Sequence, residues 1–188
     1  SFAKMKEKTL LVDLDLRKPR QHQILGLDRE QGVSDFLVKE LDISELITTT
    51  EVEDMDFLSA GTRAPNPSEL LTIQNIKKLI GAIPKKYERI IIDTAPVLAV
   101  RDSLAMAKFV NSSVIVYKIG STHRKALSRL LKIYSENNTY PVGIIANGLP
   151  EMSKKSAYYG YYHKYYYGSY SYSYYGGGSY YGEEESQS

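Results

Sequence analysis

The sequence predicts an α/β domain in which helices cover both faces of a mostly parallel sheet, followed by a disordered tail. Short apolar runs without polar alternation are typical of strands buried on both faces, and segments with helical spacing separate these runs. A length of 188 residues suits one such domain. Of the 17 tyrosines, 13 lie beyond residue 150, in a stretch without Leu, Ile, Val, Phe or Trp. Such a stretch lacks the apolar side chains that fill a core. We therefore treat this tail as separate from the folded domain.

The first part of the domain is predicted to contain two strands and one helix. An apolar run that ends in acidic residues predicts a buried strand at Thr9–Leu14. Apolar residues at helical spacing predict a helix at Gly32–Leu41, with Ser34 as its N-terminal cap. The apolar segment Met55–Ser59 is predicted to be the second strand, and the turn-forming residues after it predict a loop.

A long helix and a third strand are predicted next. Apolar residues recur at helical spacing over Ser68–Ile83, and Ser68, just after Pro67, is a suitable cap. The run Arg89–Asp93, which contains three consecutive isoleucines, predicts another buried strand. This strand also ends in an acidic residue.

The last part of the domain continues the alternation of helices and strands. Helices are predicted at Asp102–Val110 and Thr122–Asn137, and strands at Ser113–Tyr117 and Pro141–Ala146. Because strands joined through helices usually run parallel, these strands should form a parallel sheet. Ligands of such sheets bind at the carboxyl ends of the strands, so functional residues are expected there.

Charge and cysteine content exclude several kinds of protein. The chain has 24 Lys and Arg against 22 Asp and Glu, and it has no Cys. Bulk charge therefore gives no sign of a nucleic-acid partner, and neither disulfides nor thiolate zinc sites can form. No apolar run approaches the roughly 20 residues of a membrane-spanning helix, so the chain is expected to be soluble. We divide it into a domain at 1–150 and a flexible tail at 151–188.

Acidic residues follow two of the predicted strands. Asp13 and Asp15 follow the first, and Asp93 ends the strand at 89–93. Buried carboxylates are costly without a partner, and Mg²⁺ together with nucleotide phosphates would supply one. The alternative is that these acids cap helices or pair with Arg17 and Lys18. Two such strands together favour the magnesium site over a structural role.

Four segments, in matching order and spacing, resemble motifs of the bacterial tyrosine kinases, a P-loop-derived family of polysaccharide-export autokinases. LLVDLDLRKP at 10–19 resembles the second Walker-type motif, called A′. IIIDTAPVLAVRDS at 90–103 resembles the Walker B segment, with Ala95 and Ser103 as departures. The other two are GTRAPNPSELL at 61–71 and GIIAN at 143–147. The resemblance covers Leu10–Asn147, and a tyrosine-rich C-terminal cluster is a further mark of the family.

The resemblance implies a P-loop NTPase-like fold and a site that uses ATP and Mg²⁺. Asp13 would orient Mg²⁺ and assist the attacking tyrosine hydroxyl, and Asp15 would be the second acid of the same motif. Asp93 would be the Walker B residue that holds a water on magnesium. Arg17 would contact phosphate or form a salt bridge with Asp15.

Two further positions have alternative roles. Asn147 would contact the nucleotide base, or it would serve only in the turn at the end of its strand. Asp102 matches a second acid of the family's Walker B region, but an N-terminal helix cap explains it equally well.

One motif of the family has no counterpart in the 188 residues, because the Walker A sequence G-x-x-x-x-G-K-[ST] does not occur. In the family this loop precedes the A′ strand by one helix. It supplies backbone N–H groups, a lysine and a magnesium-binding hydroxyl. The chain is therefore expected to be a C-terminal fragment, or the product of a truncated reading frame, that binds ATP weakly or not at all by itself.

The tail would supply the phosphate acceptors. By resemblance, tail tyrosines enter the active site of a neighbouring subunit, and the surrounding Gly and Ser keep each phenol accessible. The expected acceptors are Tyr158, Tyr159, Tyr161, Tyr162, Tyr165, Tyr166, Tyr167, Tyr170, Tyr172, Tyr174, Tyr175, Tyr180 and Tyr181. The alternative is a sticky or nucleic-acid-associated low-complexity segment, but the tail contains no Arg of the RGG type.

The resemblance also implies partners and a location. The intact kinase is expected to form a homo-oligomeric ring at the cytoplasmic face of the bacterial inner membrane and to regulate exopolysaccharide or capsule synthesis and export. Expected partners are a membrane-anchored polysaccharide co-polymerase region or activator and a protein-tyrosine phosphatase, but no nucleic acid. The alternatives are a partitioning or cell-division ATPase of similar architecture and a P-loop-less phosphoacceptor or interaction module.

Overall fold

The computed structural model describes residues 2–98 and 102–148. Residues 1–147 form one compact unit. Within the described ranges, no helix combines the length and the apolar character that crossing a membrane requires. The tail tyrosines and the domain boundary predicted at residue 150 lie outside these ranges.

The main sheet is built around β1 (Thr9–Asp13), which is buried along most of its length. β1 runs parallel to β3 (Met55–Leu58) on one side and to β4 (Arg89–Asp93) on the other. β2 (Ile47–Thr49) pairs with β3 in the antiparallel direction, which gives the order β2-β3-β1-β4 in the part of the chain that the structure describes. The predicted parallel arrangement of the first three strands is therefore confirmed.

Two further parallel strands, β5 (Val114–Lys118) and β6 (Gly143–Asn147), pair with each other. A small apolar core joins Leu104 and Tyr134 to Ile115 of β5. The alternation of strand, helix and strand predicted for this half of the domain is thus confirmed.

Helices connect the strands. They are α1 (Gln21–Ile24), α2 (Val33–Lys39), α3 (Pro67–Leu70), α4 (Ile73–Ala82), α5 (Asp102–Met106) and α6 (Arg124–Glu136), with single 3₁₀ turns at Ala3–Met5 and Ile43–Leu46. The main core lies where α2 and α4 pack on β1 and β3, and it contains Leu10, Leu58, Phe36, Ile76 and Leu79. Full burial of one such side chain contributes about 1.5–3 kcal/mol relative to exposure.

The predicted cap of α2 is wrong. The residue before this helix is Gly32, and Ser34 lies inside the helix, where its hydroxyl donates to the Thr62 carbonyl at 2.7 Å. A Cβ at position 32 would lie 2.1 Å from the carbonyl oxygen of Ser59. The close approach of two backbone segments therefore requires glycine here, and no side-chain cap can occupy the position.

The single helix predicted at Ser68–Ile83 is two helices, and Ser68 is not a cap. α3 begins with Pro67 and ends at Leu70. α4 begins after Thr72, whose hydroxyl accepts a hydrogen bond from the Asn75 backbone N–H at 3.2 Å. Threonine is a favourable N-cap because its oxygen satisfies a free N–H group of the first turn, so it starts a new helix here.

The strand β4 is present, but its predicted burial is wrong. Ile90 and Ile91 are 42% and 41% exposed. β4 pairs with β1 on one side, and within residues 2–98 and 102–148 no strand pairs with its other side. In the same ranges β5 pairs only with β6, and its Val116 is also exposed. In the described ranges the four-stranded sheet and the β5–β6 pair thus each have an apolar strand with an open edge.

Other boundaries differ by a few residues. α5 ends at Met106 rather than at Val110, and β6 begins at Gly143 rather than at Pro141. The short elements α1 and β2 were not predicted, because three or four residues cannot show a hydrophobic period.

Candidate functional site

Asp13 and Asp93 end neighbouring parallel strands and face each other in register. The pairing continues one step further, because the Leu14 N–H donates to the Asp93 carbonyl at 2.8 Å. Asp13 is fully buried, and Asp93 is partly buried. The sequence predicts this proximity, since the carboxyl ends of parallel strands meet at one edge of a sheet.

Two backbone donors hold the Asp13 carboxylate. Its Oδ1 accepts from the Asp15 N–H and its Oδ2 from the Gln21 N–H, both at 3.2 Å. Burial raises the pKa of Asp13 above its ordinary value. The two hydrogen bonds oppose this rise, and the negative charges of Asp93 and Asp15 add to it. In the described part of the chain no cationic side chain pairs with this carboxylate, so a bound cation would remove much of the cost of its burial.

Gln21 connects the two acids, and the sequence analysis did not identify it. Its backbone N–H donates to Asp13, and its side-chain Nε2 donates to Asp93 Oδ2 at 2.6 Å. Gln21 is the first residue of α1, which has only four residues. So short a helix has no period in the sequence, and no motif marks this residue.

Asp15 shapes the turn that follows β1. Its Oδ1 accepts from the backbone N–H groups of Arg17 at 3.1 Å and Lys18 at 3.0 Å, which is the geometry of a side chain closing a local turn. The Arg17 guanidinium donates to the hydroxyl of Ser68 and thereby ties this turn to α3. The catalytic roles predicted for Asp15 and Arg17 stay predictions.

Asp35 anchors the loop that leads to α3, and it was not singled out from the sequence. Its Oδ2 accepts from the N–H groups of Gly32 at 3.1 Å and Thr62 at 2.8 Å, and its Oδ1 accepts from Thr62 Oγ1 and from Lys39 Nζ, both at 2.9 Å. Burial alone would raise the pKa of Asp35, but these hydrogen bonds and the Lys39 charge lower it to about 2. Asp35 thus holds the start of the 61–70 segment, and the hydrogen bond from Arg17 to Ser68 holds its end.

The donor atoms near Asp13 fit a hard divalent cation that shares its shell with other oxygens. Within the described ranges, no group of three or more His, Cys, Asp or Glu is placed to hold a metal ion. Mg²⁺ in nucleotide sites typically takes one or two carboxylates and completes its shell with waters and phosphates. Two carboxylates, one of them buried without a cationic partner, match that requirement. The assignment of Asp13 and Asp93 to Mg²⁺ stays a prediction.

The roles predicted for the remaining residues stay predictions. Asn147 ends β6, where its carbonyl accepts from the Ile119 N–H at 2.8 Å. Asp102 is the first residue of α5. The tail tyrosines at 158–181 lie outside the described residues.

Comparison with known proteins finds relatives that are named as tyrosine-protein kinases. A family model described as an AAA domain matches residues 1–139. The chain is 31% identical over 162 residues to the putative tyrosine-protein kinase CapB of Staphylococcus aureus, covering 86% of this chain and 71% of CapB. It is 32% identical over 161 residues to the tyrosine-protein kinase YwqD of Bacillus subtilis strain 168, covering 86% of this chain and 67% of YwqD. The match to the tyrosine-protein kinase wzc of Salmonella typhi is 31% identical and spans 83% of this chain but 22% of wzc.

Solved structures agree with these relatives. The chimerical protein CapA2B2 matches with a TM-score of 0.74 and 33% identity, over 80% of this chain and 66% of that one. The kinase domain of the Escherichia coli tyrosine kinase ETK matches with a TM-score of 0.74 and 28% identity, over 84% of this chain and 62% of that one. The septum site-determining protein MinD of Pyrococcus horikoshii, complexed with Mg-ADP, matches with a TM-score of 0.64, over 86% of this chain and 66% of that one. At 19% identity this last likeness shows the fold alone.

The order of the motifs, the parallel sheet with Asp13 and Asp93 side by side, and these matches lead to one assignment. The chain belongs to the bacterial tyrosine kinase family and has that family's P-loop NTPase-like fold.

Proposed function

We propose that this chain belongs to the catalytic region of a kinase that, when intact, transfers the γ-phosphoryl group of ATP to tyrosines in its own tail. The observation that carries the proposal is the register pairing of Asp13 with Asp93, because it brings a buried, unneutralised carboxylate and a second acid to the ligand-binding edge of the sheet. The named tyrosine-protein kinases among the relatives support the reaction class.

The two acids would hold the cation that accompanies the nucleotide. Mg²⁺, when bound, neutralises the negative charge of the phosphate groups, and phosphoryl transfer depends mainly on such charge neutralisation and on positioning. Asp13 would orient Mg²⁺, and Asp93 would hold a water of its shell. Arg17 would contact a phosphate, and Asn147 would contact the nucleotide base.

Asp13 is also suited to help the attacking tyrosine. A phenol with a pKa near 10 must lose its proton as the new bond to phosphorus forms, and a neighbouring carboxylate can accept it. Burial and the charges of Asp93 and Asp15 raise the pKa of Asp13 in the absence of a cation, and a cation bound beside it would oppose this rise. The phenol oxygen would bond to the γ-phosphorus, the bond to ADP would break, and the phenol proton would pass to Asp13.

Phosphorylation would change the charge of the tail sharply. Three lysines and four glutamates give residues 151–188 a formal charge of −1 before modification. Each phosphate adds about −1.5 to −2 charges, so modifying half of the 13 tyrosines would add on the order of −10 per chain. We infer that repulsion between such tails loosens a ring of subunits and couples the phosphorylation cycle to exopolysaccharide or capsule synthesis.

The setting of the intact enzyme follows from the same proposal. It would work as a homo-oligomeric ring at the cytoplasmic face of the inner membrane, with a membrane-anchored co-polymerase region or activator. A protein-tyrosine phosphatase would reset it. The relative wzc is far longer than this chain, so a homologue can contain such additional regions.

One observation favours a second function for the chain as it stands. The sequence G-x-x-x-x-G-K-[ST] does not occur in the 188 residues, and that loop supplies the phosphate-binding N–H groups and lysine in P-loop enzymes. The chain by itself would then bind ATP weakly and act as a phosphate acceptor for an intact kinase.

A phosphorylation assay separates the two functions. The chain is incubated with ATP and Mg²⁺, alone and with an intact bacterial tyrosine kinase, and phosphotyrosine is detected with an antibody. Phosphotyrosine in the chain alone establishes it as a catalyst, whereas phosphotyrosine only in the mixture establishes it as an acceptor. A variant with all 13 tail tyrosines changed to Phe is the control and should stay unmodified in both. Absence of phosphotyrosine from the wild-type chain in both reactions contradicts the proposal.

A further inference from the structure

Gln21 uses two different donors to hold two different acids. The backbone N–H donates to Asp13 Oδ2 at 3.2 Å, and the side-chain Nε2 donates to Asp93 Oδ2 at 2.6 Å. The first bond belongs to the start of α1, where Arg20 provides no side-chain cap. Asp13 therefore serves as the cap of a helix that follows it by eight residues.

The two bonds differ in what can break them. The backbone bond to Asp13 is fixed by the path of the chain, so it can break only if α1 moves. The bond to Asp93 depends on the side-chain torsions of a partly exposed glutamine, which can rotate away without moving any helix or strand. The carboxamide is thus the movable member of the Asp13–Gln21–Asp93 group.

The carboxamide also takes one lone-pair position of Asp93 Oδ2, which a cation or its water could otherwise use. A carboxylate accepts a hydrogen bond and binds a cation, or its water, through the same oxygen lone pairs. The Gln21 amide fills such a position on Asp93 Oδ2 with a neutral donor. The amide therefore satisfies one hydrogen-bond acceptor of Asp93 but does not compensate the negative charge of either acid.

We propose that Gln21 is a latch on the cation site: its side chain holds Asp93 when no cation is bound, and releases it when a divalent cation binds at Asp13 and Asp93. The backbone N–H of the same residue keeps Asp13 in place in both states. Gln21 is in this sense a positioning residue, since it acts through the two acids. The inference rests on the proposed function of Asp13 and Asp93.

The latch predicts that the amide competes with the cation. Gln21→Ala removes the carboxamide but keeps the backbone N–H that holds Asp13. Because a hydrogen bond to a charged group need no longer be broken, Mn²⁺ should bind this variant at least about tenfold more tightly. Gln23→Ala is the matched control, since Gln23 lies on the same helix, is exposed, and should leave the affinity unchanged.

The experiment is a titration of the full 188-residue chain with MnCl₂ in the absence of nucleotide. Paramagnetic broadening of the backbone amide signals of Asp13 and Asp93 gives the dissociation constant. Tighter binding by Gln21→Ala than by wild type and Gln23→Ala supports the latch; equal or weaker binding overturns it. If wild type shows no broadening at either aspartate, both the latch and the proposed cation site fail. Broadening in wild type with no gain in Gln21→Ala overturns the latch alone.

A second measurement uses the wild-type chain and therefore does not depend on the folding of a variant. The Gln21 side-chain amide protons should exchange slowly with solvent while they are bonded to Asp93. Addition of the diamagnetic ion Mg²⁺ should speed this exchange and leave the Gln21 backbone amide protected. Unchanged side-chain exchange at saturating Mg²⁺ overturns the latch.

Discussion

Asp35 accepts hydrogen bonds from both the backbone N–H and the hydroxyl of Thr62, at 2.8 and 2.9 Å. One buried carboxylate thereby fixes the start of the loop that carries α3, and α3 in turn carries Ser68, the partner of Arg17. The position of the loop beside the turn after β1 depends on Asp35 being ionised.

Protonation of Asp35 should lower the stability of the chain in acid. Its folded pKa of about 2 lies below the unfolded value near 3.9, so its contribution is complete above about pH 5 and is lost as pH falls toward 2. The shift corresponds to about 2.5 kcal/mol. Urea unfolding between pH 7 and pH 2 measures it, and Asp35→Asn should remove this part of the pH dependence. The exposed residue Asp28 provides the control variant Asp28→Asn, which should keep the wild-type profile. An unchanged acid profile in Asp35→Asn contradicts the prediction.

Gly32 and Gly81 should respond to alanine in opposite directions. A Cβ at Gly32 would lie 2.1 Å from the Ser59 carbonyl oxygen and 2.8 Å from the Gly61 backbone nitrogen, so backbone must move. Gly32→Ala should therefore cost about 3 kcal/mol. Gly81 lies exposed in α4 with open space around it, and Gly81→Ala should stabilise by about 0.5–1 kcal/mol. Chemical denaturation measures both changes, and a Gly32→Ala variant as stable as wild type would refute the close approach.

The open apolar edge of β4 should make the chain associate with itself. Among the described residues no strand pairs with one side of β4, so its exposed isoleucines offer apolar surface next to free backbone groups. Ile91→Lys should reduce light scattering at high protein concentration. The control is Ile24→Lys, at a more exposed isoleucine that lies on α1 and not on a strand, and it should leave the scattering unchanged. An equal reduction by both variants would show that association depends on general surface charge.

The strands and their shared edge could be predicted because their sequence signal is local. Apolar runs such as the one at 9–13 have few alternatives to a buried parallel strand, and an acid at the end of each run places Asp13 and Asp93 at one edge. The helix predicted at Ser68–Ile83 is present over 73–82 for a similar reason, since the apolar spacing there extends over more than two turns.

The parts that were missed depend on contacts between distant segments. Nothing in the neighbourhood of Gln21 reveals that its side chain will meet Asp93, which is 72 residues away. The role of Asp35 depends in the same way on Thr62, 27 residues later. The exposure of β4 could not be predicted either, because an apolar run indicates a strand but not how many strands pair with it.

We propose that Asp13 and Asp93 form one phosphoryl-transfer centre that acts on the tails of neighbouring subunits. Its most direct test mixes two forms of this chain, each extended at its N-terminus by a Walker A segment. One form carries Asp13→Asn and Asp93→Asn with an intact tail, and the other keeps both acids but has Phe at all 13 tail tyrosines.

The measurement is mass spectrometry of tail phosphotyrosine after incubation with ATP and Mg²⁺. The claim predicts phosphotyrosine on the tail of the first form in the mixture, and at least about 100-fold less when either form is incubated alone. Phosphorylation of the first form by itself, at the rate of a form with both acids and tail intact, would contradict the claim.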